Sequence, residues 1–77
     1  MGRRQEKQMV FERITFDPEV MGGKPCIRGM RVTVGMIVGQ IASGRTEDAI
    51  LADFPYLERE DIREALRFGL KDKEHFN

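Results

Sequence analysis

TEDAILADFPYLEREDIREALRFGL, residues 46–70, is the stretch that decides the fold. Thr46 is a good N-cap, and Glu47 and Asp48 set negative charge in the first turn, where the helix dipole favours it. Ala49, Ile50 and Phe54 supply a short apolar face. Pro55 disfavours helical geometry at Phe54, so this helix is expected to stop near Asp53. After Pro55-Tyr56-Leu57 a second helix is predicted from Arg59 to Leu70. Its apolar residues Ile62, Ala65, Leu66, Gly69 and Leu70 follow the i, i+3, i+4, i+7, i+8 spacing of one helix face. Two amphipathic helices across so short a turn predict the steep crossing of a helix-turn-helix, and the same pattern also fits an ordinary helical corner.

Upstream, Thr33 is placed to cap a helix over 34–43 that Gly44 ends. Val34, Ile37, Val38, Ile41 and Ala42 form its apolar stripe. Gly35 and Gly39 lie one turn apart beside that stripe. Glycine is costly within a helix, so the pair predicts a close backbone approach, to another helix of the chain or to a second subunit. With this helix included the order is helix, helix, turn, helix, the layout of a homeodomain-like unit whose third helix reads DNA.

Residues 10–16 read as a strand, with Val10, Ile14 and Phe16 on one face and Arg13 and Thr15 pointing away. Asp17-Pro18 closes it. Gly22-Gly23 opens an unusual backbone path, and Pro25 keeps Lys24 extended. Arg28-Gly29-Met30-Arg31 places glycine first in a two-residue loop, which predicts a type II′ hairpin between strands at 26–28 and 31–33. Gly22-Gly23-Lys24 is no P-loop, because Pro25 removes an N–H donor and blocks the helix such a loop must open. The expected fold is mainly α, a three-helix homeodomain-like helix-turn-helix bundle with a short N-terminal β-hairpin or small sheet. Residues 1–9 read as a flexible basic arm or a loose terminus, 10–70 as one domain and 71–77 as a short tail.

Seventy-seven residues make one small domain. Such a chain buries only roughly 60% of its unfolded surface, so a partner subunit, most simply in a homodimer, would help it. One cysteine excludes an internal disulfide and fits a reducing cytoplasm, and no apolar run approaches a membrane span. The net charge is zero, but residues 1–46 carry eight bases and four acids, while residues 47–77 carry five bases and nine acids. Lys24, Arg28, Arg31 and Arg45 have no acid among them between Val20 and Thr46. They form either an electropositive patch or a mixed surface completed by acids from elsewhere.

On the predicted third helix Arg59, Arg63, Arg67 and Lys71 recur every four residues as one stripe, the candidate DNA-binding set. Glu60 and Glu64 crowd that stripe and suggest i, i+3 ion pairs Glu60–Arg63 and Glu64–Arg67 instead. His75 and Cys26 are isolated, so neither a metal site nor a catalytic constellation is expected. Nor is a cofactor, a small-molecule substrate or an enzymatic activity.

Ile14-Thr15-Phe16-Asp17-Pro18, the segment Gly23-Lys24-Pro25 with Ile27-Arg28-Gly29, Arg31-Val32 and Val34, and Phe54-Pro55 with Leu57, Glu60-Asp61-Ile62 and Ala65-Leu66 together resemble the small bacterial family called domain of unknown function 433. That resemblance spans about residues 12–70. It implies a homeodomain-like or winged helix-turn-helix fold and the role of a VapB-type antitoxin encoded beside a PIN-like ribonuclease toxin. Met30 and Glu58 depart from the family pattern, and Glu58 is a poor cap. The tail expected after the last helix is short for an antitoxin of this type. Contact with a PIN-like toxin or with phosphates is therefore assigned to Arg3, Arg4, Lys24, Arg28 and Arg31, since an arginine suits a carboxylate-rich active site. The functional expectation is an antitoxin-like regulator that also binds its promoter DNA as a homodimer. The alternative is a protein-protein interaction or dimerisation module without nucleic-acid binding.

Overall fold

The computed structural model describes the backbone of residues 11–76 and the side chains of residues 11–70. Val10 and the basic arm with Arg3 and Arg4 lie outside the described residues. In order, the elements are strand β1 (Ile14–Thr15), a single 3-10 turn (Met21–Gly23), strand β2 (Cys26–Ile27), and helices α1 (Val34–Ala42), α2 (Glu47–Asp53) and α3 (Arg59–Phe76). The two strands pair antiparallel, Ile14 with Ile27 and Thr15 with Cys26.

Both expected N-caps are formed. The Thr33 hydroxyl accepts the Met36 amide at 3.0 Å, and the Thr46 hydroxyl accepts the Ala49 amide at 3.1 Å. Each satisfies a donor that an uncapped helix start leaves orphaned. Helix α2 ends at Asp53, ahead of Pro55, as the proline dictates. Helix α3 starts at Arg59 but continues to Phe76, past the expected end at Leu70. Nothing between Leu70 and Phe76 breaks a helix, since the segment Lys71-Asp72-Lys73-Glu74-His75 has neither glycine nor proline.

Ile14, Ile27, Ile37, Ile50, Leu57 and Ile62 converge in one buried core, so every element except the 3-10 turn contributes to it directly or at its edge. Helix α1 lies against α3, with Val38 packed onto Gly69. A Cβ built there would stand 2.8 Å from Val38 Cγ2, so the absence of a side chain at Gly69 is what lets the two helices meet. The close approach expected at Gly35 and Gly39 is not made among the described residues. A Cβ at Gly39 meets nothing within 4 Å, and one at Gly35 meets only the Thr33 hydroxyl at 3.8 Å. Both glycines face outward.

Three further expectations are corrected. The strand predicted over 10–16 is two residues long, and Arg13 folds inward over α3 while Phe16 stays exposed, because side-chain partners on α3 override simple alternation. The hairpin turn is shifted by one residue. Ile27 O accepts the Met30 amide, and the central residues Arg28 (φ 45°) and Gly29 (φ 74°) are both left-handed. Positive φ at both central positions is the type I′ arrangement, not II′. Its return strand is reduced to a single bridge between Cys26 and Thr33, because Thr33 already turns into the α1 cap. Lastly, Leu70 is 64% exposed rather than part of the core face, since α3 has run beyond the elements that cover it.

Candidate interaction surfaces

Helix α3 begins at a carboxylate. Asp61 lies in its first turn, and its Oδ2 accepts the Glu58 amide at 2.8 Å, which ties down the helix start that Glu58 itself caps poorly. Two guanidiniums close on the same carboxylate. Arg13 Nη1 reaches Oδ1 at 2.8 Å, while Arg28 donates Nε to Oδ1 at 3.1 Å and Nη2 to Oδ2 at 2.9 Å, a bidentate grip. The Asp61 side chain is 0% exposed, whereas Arg13 and Arg28 keep 29% and 37% of theirs in water. Burial alone would push this carboxyl up. The bonds from Arg28, from the Glu58 amide and from Arg13 outweigh it and hold Asp61 below the usual aspartate range.

Around this centre Arg13 Nη1 also donates to Glu58 Oε1 at 2.7 Å, and the Arg13 amide donates to buried Glu64 Oε2 at 2.7 Å. Phe11 and Phe16 both lie against Phe68, with ring centroids 5.2 and 5.9 Å apart. Residues 11–16 are thus a strap held to α3 by Glu58, Asp61, Glu64 and Phe68. The sequence reading missed this face. Asp61, Glu64 and Phe68 share one side of α3 at i, i+3 and i+7, and an aromatic in register with two acids was the available signal.

The candidate DNA-binding arginines are placed on the solvent side of α3, each facing carboxylates. Arg59 donates to Glu47 at 2.8 Å and to Asp48 at 2.7 Å. Arg63 reaches Glu47 at 3.3 Å, and Arg67 reaches Glu60 at 3.0 Å with Glu64 at 3.8 Å. The i, i+3 pair of Glu64 with Arg67 is present, but Glu60 pairs with Arg67 in place of Arg63, which Glu47 has taken. Hydrogen bonds from Arg59 and Arg63 hold the Glu47 carboxyl below its ordinary value. The side chain of Lys71 lies outside the described residues.

Among the described cations assigned to a toxin or phosphate (Lys24, Arg28 and Arg31), Arg28 stands apart, because Asp61 and the Tyr56 carbonyl hold it. Arg45 is likewise held by Asp53 and Gln40. Lys24 and Arg31 are exposed, and among the described residues no carboxylate lies within 4 Å of either. Met21 links them in space, its carbonyl accepting the Lys24 amide and its sulfur lying 3.9 Å from Arg31 Nη1. Beside Lys24 a groove of about 560 Å³ runs between the start of α1 and α3, lined chiefly by Pro25, Val34, Met36, Val38 and Phe68. No group of three or more His, Cys, Asp or Glu side chains placed to hold a metal occurs among the described residues. No described helix is long and apolar enough to cross a membrane.

Comparison with known proteins follows this geometry. Residues 14–69 match the sequence profile of a family described as "Protein of unknown function (DUF433)". The uncharacterized protein y4eO of Sinorhizobium fredii is 37% identical over 52 residues, which is 68% of this chain and 24% of that protein. The chain therefore spans about a quarter of the length of the curated relative it matches. The crystal structure of a DUF433 member protein from Anabaena variabilis superposes with a TM-score of 0.77 at 29% identity, covering 94% of this chain and 68% of that one.

Proposed function

This chain belongs to the DUF433 family, and we propose that within it the chain acts as a non-enzymatic, antitoxin-like regulator that binds a PIN-like ribonuclease toxin. The observation that carries the reading is the division of the basic residues. Arg13, Arg28, Arg45, Arg59, Arg63 and Arg67 are each paired with an acid of the same chain. Lys24 and Arg31 are exposed, have no described acidic partner and both contact Met21. An exposed cation without an acidic partner suits a carboxylate cluster of the kind that binds metal in a PIN-like active site. The test is co-expression with the product of the adjacent gene, which this reading requires to be a PIN-like ribonuclease. The wild type is expected to co-purify with it and suppress RNA cleavage. Lys24→Glu with Arg31→Glu is expected to lose both effects while keeping the wild-type unfolding midpoint. A neighbour unrelated to any nuclease, or a complex indifferent to the double charge reversal, would refute the reading.

Binding to promoter DNA is the second part of this proposal, and a specific observation favours its rival, an interaction module with no nucleic-acid role. The Arg59–Arg63–Arg67 stripe is neutralised by Glu47, Asp48 and Glu60. Exposed ion pairs exchange at little cost, so phosphates are able to displace these carboxylates. The displaced acids nevertheless stay beside the phosphates and oppose binding. A salt titration with promoter DNA separates the two, because a true binder releases counterions and loses affinity steeply as salt rises. Arg63→Ala and Arg67→Ala must each flatten that slope if α3 carries the contact.

A further inference from the structure

Helix α1 carries no charged residue along its whole length, Val34-Gly35-Met36-Ile37-Val38-Gly39-Gln40-Ile41-Ala42. Val34 and Ile37 are buried, but Gly35, Met36, Gly39 and Ala42 face outward, with Ser43 just beyond them. A helix on a protein surface normally turns charged or polar groups to water, as α3 does with Arg59, Arg63 and Arg67. Here the outward side is small and apolar. Among the described residues the two glycines on it make no close helix contact: a Cβ at Gly39 would meet nothing within 4 Å, and one at Gly35 only the Thr33 hydroxyl at 3.8 Å. Glycine is also the poorest helix former after proline, so nothing among the described residues favours keeping two of them.

The ends of α1 are equally bare. Its first turn has no acid and its last turn no base, whereas α2 has Glu47 and Asp48 and α3 has Glu60 and Asp61 in the first turn. The nearest base beyond its C-terminal end, Arg45, is held by Asp53 and Gln40.

We propose that the outward face of α1 is covered by the same face of a second copy, the two helices running antiparallel about a two-fold axis at Gly39. A two-fold interface sets each surface against itself, so it tolerates a charge-free face and penalises a charged one. Antiparallel helices place each uncompensated N-terminal end beside the other's C-terminal end, which supplies the opposite partial charge that neither chain provides for itself. With the axis at Gly39, Met36 lies over Ala42 of the second copy and Gly35 over its Ser43, large against small. The paired Gly39 residues let the helix axes approach closely. The toxin-binding reading concerns Lys24 and Arg31, and this inference does not depend on it.

The experiment is sedimentation velocity on the full chain at about 100 µM, far above the dissociation constant of a stable dimer. The wild type is expected to be a dimer. Gly39→Arg opposes two like charges at the axis and is expected to weaken the dimer about a hundredfold or more, while the far-UV circular dichroism stays native because the site is open in the protomer. As a readout independent of that variant, Gly39→Cys is expected to form an intermolecular disulfide on mild oxidation, which the wild type, with Cys26 buried, does not. A monomeric wild type, a Gly39→Arg variant that remains a dimer, or a natively folded Gly39→Cys variant that fails to cross-link would each overturn the proposal.

Discussion

Replacing Asp61 by asparagine keeps the shape of the side chain and removes its charge. The carboxylate accepts four hydrogen bonds, two on each oxygen, at 2.8 to 3.1 Å. The amide keeps one acceptor oxygen and turns a donor toward the other pair of donors, so two bonds are lost and the remaining two lose their ionic character. Hydrogen bonds to a charged group contribute roughly 1.5–3 kcal/mol each, and breaking a fully buried pair costs roughly 3–5 kcal/mol. Arg13 and Arg28 both keep contact with water, which lowers the penalty for leaving them unpaired. About 2–4 kcal/mol is therefore expected, against a total near 4–12 kcal/mol for a domain of this length. Urea denaturation followed by circular dichroism measures it. The dependence on pH gives a second reading. The folded Asp61 pKa is depressed, so its stabilisation is complete above the unfolded value near 3.9 and is lost as pH falls through the folded value. The gap between wild type and Asp61→Asn must shrink below about pH 4. A variant within 0.5 kcal/mol of wild type at pH 7, or a gap that ignores acidification, would refute the central role given to this carboxylate; ~0.5 kcal/mol is the ordinary scatter of surface substitutions.

Other substitutions test separate parts of the structure by the same denaturation assay. Arg28→Ala and Arg28→Gly both lose the grip on Asp61, but alanine keeps the strain of φ 45° and glycine does not, so Arg28→Gly is expected to be more stable than Arg28→Ala by about 1 kcal/mol. Gly69→Ala forces a methyl to 2.8 Å from Val38 Cγ2 and is expected to cost about 1–3 kcal/mol, although alanine is the better helix former. Thr46→Ala removes the acceptor of the Ala49 amide and is expected to cost about 1 kcal/mol.

The helices were legible in the sequence because their signals are local. Thr33 and Thr46 as caps, and Pro55 as the stop after Asp53, each act over three or four residues and need no knowledge of the rest of the chain. The small sheet was only partly legible, since Arg28 takes a left-handed conformation that glycine usually supplies, and its partner Asp61 lies 33 residues away. The strap was hidden for the same reason. Alternation put Arg13 in solvent, and only the positions of Glu58, Asp61 and Glu64 on α3 show why it folds inward. The arginine stripe was visible, but its neutralisation was not, because Glu47 and Asp48 sit on a different helix from Arg59 and Arg63. Gly35 and Gly39 were read as marking a close approach to another helix or to a second subunit, and no helix among the described residues makes it, while Gly69 was read as one residue of an apolar face and marks the α1–α3 contact that is made.

Asp61 does more than lend stability. A buried ion pair is weak support for stability in general, since an apolar replacement often does as well, and its better-attested use is to fix register. Here one carboxylate receives bonds from the strap (Arg13), the hairpin turn (Arg28) and the start of α3 (Glu58), three places far apart in the chain. The grip of its guanidinium on that carboxylate offsets the strain of the left-handed Arg28. In the turn shifted by one residue, Gly29 and Met30 would be the central pair and Arg28 would no longer occupy the position from which it grips Asp61. The carboxylate thus selects one turn out of two that the glycine alone permits. That choice also sets where Arg31 stands, three residues on and outside the network, beside Met21 and free of any described acid. Under the toxin contact proposed above, Arg31 is positioned by the cations that the fold has already committed, so Asp61→Asn is expected to weaken co-purification with the toxin as well as stability, and unchanged co-purification in a folded Asp61→Asn variant would refute that coupling.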